Sequence, residues 1–204
     1  MRGLLITFEG VEGSGKSTQA EMLVGYLLRQ GYRVVFSREP GGTEIGERVR
    51  NILLDPACRG MDGMTELFLY LASRNQHVRE KVMPAIRAGQ IVVLDRFADS
   101  SVAYQGWGRQ LGARLVQRLN KLATAAMRPD LTILVDLPVT VGRERKRGSE
   151  LDRLELEEMQ FHERVRRGYL LLARRAPGRI KVVDGLLPAD ELSLAINRIA
   201  TEML

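Results

Sequence analysis

The sequence predicts an α/β fold in which a five-stranded parallel sheet carries helices on both faces. Two observations predict it: short apolar segments alternate with helical patterns along the chain, and a glycine-rich phosphate-binding motif follows the first apolar segment. Such alternation is typical of parallel sheets joined by crossover helices. No internal repeat, low-complexity linker or change in composition divides the 204 residues. We therefore expect a single domain covering residues 1–204.

Five short runs rich in apolar and β-branched residues are predicted to form the strands. Runs of four or five such residues are typical of strands that are buried on both faces of a sheet. They are Leu4–Phe8, Arg33–Phe36, Ile91–Leu94, Leu131–Val135 and Ile180–Val183.

Apolar residues at helical spacing fill the intervals between these strands. The first pattern, from Ala20 to Leu28, stops before Gly31, where a helix would end. A longer pattern, from Leu67 to Ile86, contains Pro84, which predicts a bend or an end at that point. Further helices are predicted around residues 45–53, 115–122 and 192–199.

The composition is that of an ordinary globular protein with a basic surface. Hydrophobic residues make up 45% and charged residues 27% of the chain, and the formal net charge is +6. The N-terminal apolar run is too short for a signal-peptide core, and no stretch reaches the uncharged length of a membrane span. We therefore expect a cytoplasmic protein without membrane contact. The basic composition is compatible with a protein that binds the phosphates of either a nucleic acid or a mononucleotide.

The motif GVEGSGKST stands directly after the first predicted strand and opens the first predicted helix. It satisfies the pattern GxxxxGK[ST] in the structural context that the pattern requires. Its glycines allow backbone N–H groups to point at phosphate oxygens, and the dipole of the following helix adds positive potential. The motif predicts a P-loop NTPase fold with a nucleoside triphosphate site formed by Gly10, Val11, Glu12, Gly13, Ser14, Gly15, Lys16, Ser17 and Thr18.

A carboxylate and a guanidinium follow the third predicted strand. Asp95 and Arg96 stand at its carboxyl end, where open α/β sheets bind their ligands. In a P-loop, Lys16 is expected to reach the terminal phosphates, and the Ser17 hydroxyl is expected to bind Mg²⁺. We expect Asp95 to assist Ser17 at this Mg²⁺; the alternative is that Asp95 caps a helix and Arg96 lies on the surface.

The segment RERKRGSELDR, residues 143–153, contains five basic side chains. Taken alone, it is compatible with a nucleic-acid contact, a solvated helix face or a movable set of charges for one small anion. It follows the fourth predicted strand on the same sheet edge as the P-loop, and glycines lie at residues 142 and 148. We therefore interpret residues 142–153 as a short basic lid over the triphosphate.

Three classes of P-loop protein could make use of the triphosphate. A GTPase switch is disfavoured because Asn120 and Lys121 do not continue into NKxD and because Asp95 does not begin a DxxG motif. A nucleic-acid-linked ATPase would need a further binding module, for which 204 residues leave little room. A small-molecule kinase needs only an acceptor pocket and a lid. It is the preferred hypothesis, and another nucleoside monophosphate kinase is the nearest alternative.

Several motifs in chain order resemble those of the bacterial thymidylate kinase (dTMP kinase) family. The resemblance implies transfer of the ATP γ-phosphoryl group to dTMP, which yields dTDP and ADP in dTTP biosynthesis. It also implies Mg²⁺ as cofactor, a homodimer, and ATP and dTMP rather than nucleic acid as partners. The motifs are EGVEGSGKS (residues 9–17), REPGGT (38–43), DRF (95–97), SSVAYQG (100–106), RPD (128–130) and ELDR (150–153).

The resemblance assigns an acceptor site to nine residues. Tyr70 is expected to stack on the thymine, Arg74 and Ser101 to contact its edge, and Tyr104 to crowd the sugar 2′ position. Arg50 and Arg96 are expected to hold the monophosphate, while Glu12 contacts the 3′-hydroxyl or supports Mg²⁺. The full set is Glu12, Glu39, Arg50, Tyr70, Arg74, Arg96, Ser101, Tyr104 and Gln105.

The resemblance also assigns roles within the lid. The family members that lack an arginine beside the P-loop lysine supply arginines from a lid, and Ser17 follows Lys16 here. Arg143 is expected to flank the adenine, which is placed near residues 183–185. The expected catalytic residues are Lys16, Arg96, Arg145, Arg147 and Arg153.

Overall fold

The computed structural model describes residues 2–148 and 150–204. Five strands form one sheet in the order β2-β3-β1-β4-β5, and every pair of neighbours is parallel. The expected α/β fold is confirmed. The strands are β1 (Leu4–Glu9), β2 (Val34–Arg38), β3 (Ile91–Asp95), β4 (Leu131–Asp136) and β5 (Ile180–Asp184).

Helices connect the strands and cover both faces of the sheet. Within the part of the chain that the structure describes, no helix is both long and apolar enough to cross a membrane. The α-helices are α1 (Lys16–Arg29), α2 (Glu44–Leu54), α3 (Gly63–His77), α4 (Met83–Arg87), α5 (Ala98–Ser101), α6 (Ala113–Ala123), α7 (Val139–Arg145), α8 (Met159–Arg175) and α9 (Ala189–Thr201).

Two π-helical segments interrupt the α-helical geometry of the chain. Val78–Val82 forms π-helix between α3 and α4, immediately before Pro84. Proline has no N–H to donate, and its ring crowds the preceding turn, so the predicted irregularity takes the form of a widened turn. Val102–Gly108 forms a second π-helical segment directly after α5. This segment packs against α8 and carries Tyr104 and Gln105, two residues of the expected acceptor site.

The side chains of the central strand β1 alternate between the two faces of the sheet and pack into a separate core cluster on each face. Ile6 and Phe8 of β1 pack with Leu23 of α1 and Ile196 of α9 on one face. Leu5, which directly precedes Ile6, packs with residues of the first π-helical segment and α4 on the opposite face. Successive strand residues point to opposite faces, so burial on both sides requires the continuous apolar runs seen in the sequence.

The parallel arrangement brings the carboxyl ends of all strands to one edge of the sheet. The register pairs Phe8 with Asp95 and Asp136 with Asp184 across neighbouring strands. The polar residues that end the strands therefore converge there with the P-loop, as the α/β architecture requires. They are Glu9, Arg38, Asp95, Asp136 and Asp184.

A pair of glycine substitutions tests the packing of α8 on the second π-helical segment. A Cβ at Gly168 would lie 2.7 Å from Cδ1 of Trp107, whereas a Cβ at Gly25 of α1 would meet only the flexible end of Arg29 at 3.4 Å. We expect Gly168→Ala to lower the free energy of unfolding by about 1–3 kcal/mol because of overpacking. Gly25→Ala should raise it by about 0.5–1 kcal/mol through helix propensity. Urea denaturation measures both, and equal effects would contradict the packing described.

Candidate active site

The P-loop connects β1 to α1 and has the backbone of a phosphate cradle. Gly13 and Gly15 have φ of 71° and 87°, values that side chains disfavour. A Cβ on Gly13 would also lie 2.1 Å from the carbonyl oxygen of Gly142, so the loop touches the start of the lid. Lys16 is 6% exposed and directs its Nζ to Oε2 of Glu12 at 3.4 Å.

Ser17 and Asp95 meet at the edge of the sheet. The Ser17 hydroxyl donates to Oδ2 of Asp95 at 2.5 Å, while Oδ1 of Asp95 is buried and has no hydrogen-bond partner in the described part of the chain. Hydroxyl and carboxylate oxygens are the ligands that Mg²⁺ prefers, and Mg²⁺ is usually held by only one or two protein groups together with phosphates. The donor set therefore fits a magnesium ion that is shared with a bound triphosphate.

Glu12 and Arg96 form the contact that joins the P-loop to the end of β3. Oε1 of Glu12 accepts from Nη2 of Arg96 at 2.5 Å and from the hydroxyl of Tyr104 at 3.1 Å. Burial alone would raise the pKa of the Glu12 carboxyl, but Arg96 and Lys16 together outweigh it and hold this pKa well below its usual range. Burial disfavours the charged form of Arg96, but Glu12 opposes this effect and raises the pKa of the guanidinium. Both groups are therefore ionised at neutral pH.

One cavity of about 580 Å³ extends from the P-loop to the far end of the expected acceptor site. It is large enough for a nucleotide. Lys16, Ser17 and Asp95 line it at the P-loop side. Eight of the nine expected acceptor residues line the same cavity, namely Glu12, Glu39, Arg50, Tyr70, Arg96, Ser101, Tyr104 and Gln105.

Arg74 is the ninth, and it lies behind the cavity wall. Its side chain is 1% exposed, its Nε donates to Glu39 at 2.7 Å, and its Nη1 donates to Ser101 at 2.8 Å and Asn120 at 2.7 Å. Its Nη2 donates to the carbonyl oxygen of Phe97 at 3.0 Å. In this structure Arg74 supports two lining residues, Glu39 and Ser101, and its expected contact with thymine stays a prediction.

Gln105 lines the cavity, and its side-chain amide has a defined orientation. Its Nε2 donates to Oε1 of the fully buried Glu66 at 2.8 Å. Its Oε1 is buried and has no partner among the described residues. Because the carboxylate can only accept, the amide orientation is determined, and the free group is an acceptor that suits a ligand N–H.

Two arginines at the start of the lid contact different parts of the protein. Nη2 of Arg143 donates to the carbonyl oxygen of Glu157 at 2.9 Å, on the side of α8. Arg145 instead donates to the carbonyl oxygens of Gly13 at 3.4 Å and Gly185 at 3.0 Å. The expected place of Arg143 beside the adenine stays a prediction, while in this structure Arg145 rather than Arg143 donates to the P-loop. The physical reason is that residues two apart on a helix point about 200° away from each other.

Arg153 is buried at the C-terminal end of the lid, and its expected catalytic role stays a prediction. Its side chain is 1% exposed, Nε donates to the carbonyl oxygen of Leu53 at 2.8 Å, and Nη2 lies 2.7 Å from Oε2 of Glu66. Glu66 also accepts from Nη2 of Arg109 at 2.9 Å. Arg153 does not line the cavity, and it anchors the C-terminal end of the lid to α2 and α3.

Two other lid cations lie closer to the P-loop. Lys146, which the sequence analysis did not single out, pairs with Glu155 and lines the main cavity. Arg147 is exposed and lines a neighbouring cavity of about 460 Å³ between the P-loop, the lid and α8. A lysine surrounded by arginines carries no distinguishing signal in the sequence. Burial disfavours the charged form of Lys146, but its hydrogen bond with Glu155 and the charge of that carboxylate, with a smaller contribution from Glu12, raise the pKa of its ammonium group.

Comparison with known proteins identifies the family. The family described as thymidylate kinase matches residues 8–196.

The chain belongs to the thymidylate kinase family.

Individual relatives support this membership across nearly the whole chain. A thymidylate kinase from Symbiobacterium thermophilum is 46% identical over 201 residues, which cover 98% of this chain and 94% of the relative. A thymidylate kinase from Desulfosudis oleivorans is 50% identical over 198 residues, which cover 93% and 92% of the two chains. The crystal structure of thymidylate kinase from Ehrlichia chaffeensis superimposes with a TM-score of 0.82 at 33% identity, covering 98% and 99%. The family resemblance seen in the sequence is thus confirmed.

Because Arg153 is buried and Arg147 is exposed, we expect their removal to affect the stability of the protein to different degrees. Arg153→Ala should lower the free energy of unfolding by about 3 kcal/mol, because Glu66 loses one of its buried partners. Arg147→Ala, at an exposed position, should change it by less than about 0.5 kcal/mol. Thermal and urea denaturation of both variants measure this difference. A stable Arg153→Ala protein would contradict the anchoring role.

Proposed function

We propose that the protein transfers the γ-phosphoryl group of ATP to dTMP and releases dTDP and ADP. The observation that carries the proposal is the single cavity shared by the P-loop residues Lys16 and Ser17 and the acceptor residues Tyr70 and Gln105. Donor and acceptor bound in one space meet at the Glu12–Arg96 contact. Holding two phosphates at that junction supplies the positioning on which phosphoryl transfer depends.

On the donor side, the P-loop residues 10–18 bind the triphosphate. Backbone N–H groups and Lys16 neutralise its charge, and Ser17 with Asp95 would hold Mg²⁺. The ion, when bound, neutralises charge on the phosphate oxygens during transfer. Arg145 lies between Gly13 and Gly185 and suits the space next to the adenine and the triphosphate.

On the acceptor side, each chemical group of dTMP has a matching side chain. Tyr70 offers a ring face to the base, and the free carbonyl of Gln105 accepts from the thymine N3–H. Arg50 and Arg96 hold the monophosphate, since paired guanidinium groups suit a dianion. The ring of Tyr104 is held below Arg96, whose Cζ lies 5.1 Å from its centroid, so that this ring suits the sugar wall.

The chemistry requires little proton transfer and much charge compensation. A monophosphate ester has its second pKa near 6, so its oxygen is already an anion at neutral pH and needs no general base. The negative charge of the two phosphates must be balanced while they approach each other. Lys16 and Arg96 are in place at the junction, and Lys146 and Arg147 supply further positive charge from the lid.

We also propose that the protein acts as a homodimer through the face formed by α2, α3 and α6. These helices pack side by side and expose large apolar side chains. A row of exposed apolar residues on adjacent helices is typical of an interface. The residues are Ile45, Ile52, Phe68, Leu115 and Leu122. The cytoplasmic location expected from the sequence stays a prediction.

A panel of acceptors tests the proposed reaction. ATP-coupled turnover should be highest for dTMP among dTMP, dUMP, CMP, AMP and GMP, and CMP in particular lacks the N3–H that Gln105 needs. We expect kcat/KM for dTMP to exceed that for CMP at least about 100-fold, as is typical when a buried polar group is left unpaired. ADP release without acceptor is the control. A preference for another base, or ATP hydrolysis stimulated by DNA or RNA, would contradict the proposal.

A charge placed in the proposed interface tests the dimer. Phe68→Glu on α3 should convert the dimer to monomers in sedimentation velocity, because a carboxylate cannot be buried there unpaired. Leu194→Glu on α9 is the matched control, since its side chain is equally exposed (60% against 56%) and lies outside the proposed interface. A monomeric unmodified protein, or dissociation of both variants, would exclude this interface.

A further inference from the structure

Arg96 adopts a backbone conformation that arginine rarely occupies. Its φ is 70°, in the left-handed region that favours glycine. A residue in that region is retained only where its surroundings determine its conformation, and such residues cluster at functional sites. The N–H of Arg96 donates to the carbonyl oxygen of Phe8 at 2.9 Å, which ties the turn to β1. A second connection to β1 comes from the next residue, Phe97.

The carboxylate of Glu9 provides this second connection. Glu9 ends β1, is fully buried and does not line the cavity. Its Oε1 accepts from the backbone N–H of Phe97 at 2.8 Å. Its Oε2 accepts from the hydroxyls of Ser100 at 2.5 Å and Tyr169 at 2.9 Å. One side chain thus binds the turn, α5 and α8.

The two hydroxyls held by Glu9 also contact the guanidinium of Arg96. Nη1 of Arg96 donates to Ser100 Oγ at 3.3 Å and to Tyr169 Oη at 3.1 Å. Each hydroxyl has one hydrogen, and when both hydrogens point to Glu9 the oxygen lone pairs face Arg96. Glu9 therefore orients the two hydroxyl groups so that their oxygen atoms accept from the guanidinium of Arg96.

We propose that Glu9 is a positioning residue for the acceptor phosphate, which acts by holding the backbone and the guanidinium of Arg96 in the orientation that binds a phosphate dianion. This inference rests on the proposed function, in which Arg96 contacts the monophosphate of dTMP. Glu9 itself touches no substrate. Its effect should therefore appear in the binding of the phosphate and be absent from the binding of the nucleoside.

The hydrogen bonds around Glu9 require a side chain in which both terminal atoms are acceptors. A glutamine has the shape of glutamate, but its NH₂ group only donates. In Glu9→Gln, either the backbone N–H of Phe97 or the two hydroxyls would face a donor. If the amide faces the hydroxyls, their hydrogens turn towards Arg96 and oppose its Nη1. Substitution by glutamine should thus displace Arg96 while the volume of the core is preserved.

The difference between dTMP and thymidine binding measures this effect directly. Calorimetric titrations at pH 8.5 keep Glu9 ionised, since burial, followed by the nearby charge of Asp99, raises its pKa to about 7. We expect Glu9→Gln to weaken dTMP binding at least tenfold and to change thymidine binding by less than twofold. The removal of both hydroxyls in Ser100→Ala/Tyr169→Phe should weaken dTMP binding in the same selective way.

Asp99→Asn is the matched control. Asp99 is another buried carboxylate near Glu9, but it pairs with Arg179 at 2.6 and 3.1 Å and not with Arg96. This variant should keep the ratio of the dTMP and thymidine dissociation constants. If Glu9→Gln does not fold, the Ser100→Ala/Tyr169→Phe variant decides by the same ratio.

The outcomes separate this inference from the proposed function. If the unmodified protein binds dTMP no more tightly than thymidine, the proposed acceptor site fails. If it prefers dTMP and the ratio is unchanged in Glu9→Gln, the positioning role of Glu9 is refuted. Equal weakening of both ligands, or the same change in Asp99→Asn, would also refute it, because a general loss of packing would then explain the result.

Discussion

The contact between Glu12 and Arg96 is the constraint on which the site depends. It joins the phosphate loop after β1 to the turn after β3, and the two groups keep each other ionised inside the protein. A partly buried carboxylate beside a phosphate loop would repel an anionic ligand if it were unpaired. Paired with Arg96, Glu12 instead connects the P-loop to the part of the cavity that the expected acceptor residues line. The cavity, the Ser17–Asp95 pair and the network of Glu9 are all arranged around this junction.

A second buried carboxylate organises the outer part of the molecule in the same way. Glu66 accepts from Gln105 and Arg109 and pairs with Arg153. It thereby connects a residue that lines the acceptor cavity with the residue that ends the lid. The lid consequently has one fixed end at Arg153 and another at α7, where Arg145 contacts the P-loop. Lys146 and Arg147 lie between these ends, and each lines a cavity beside the P-loop.

The parts of the site that could be predicted from the sequence are those that local sequence and chain order define. The P-loop was predicted because its glycines, Lys16 and Ser17 are consecutive, and Asp95 because it directly follows an apolar strand. The roles of the arginines in the lid could not be assigned in the same way. Arg143, Arg145 and Arg153 are chemically identical, and they differ only in the carbonyl or carboxylate that each one meets. The partners of Arg145 and Arg153, namely Gly185 and Glu66, come from distant parts of the chain.

The sequence by itself determined the α/β fold, the order of its elements and the chemistry available at the sheet edge, because apolar periodicity and the P-loop act over a few residues. Only the tertiary structure decided which charges serve the ligand and which hold the protein together. Glu9 illustrates the difference: in sequence it is the last residue of a strand, and in the fold it binds Phe97, Ser100 and Tyr169. The physical reason is that a buried charge must find its partners in space, and those partners lie up to 160 residues away along the chain.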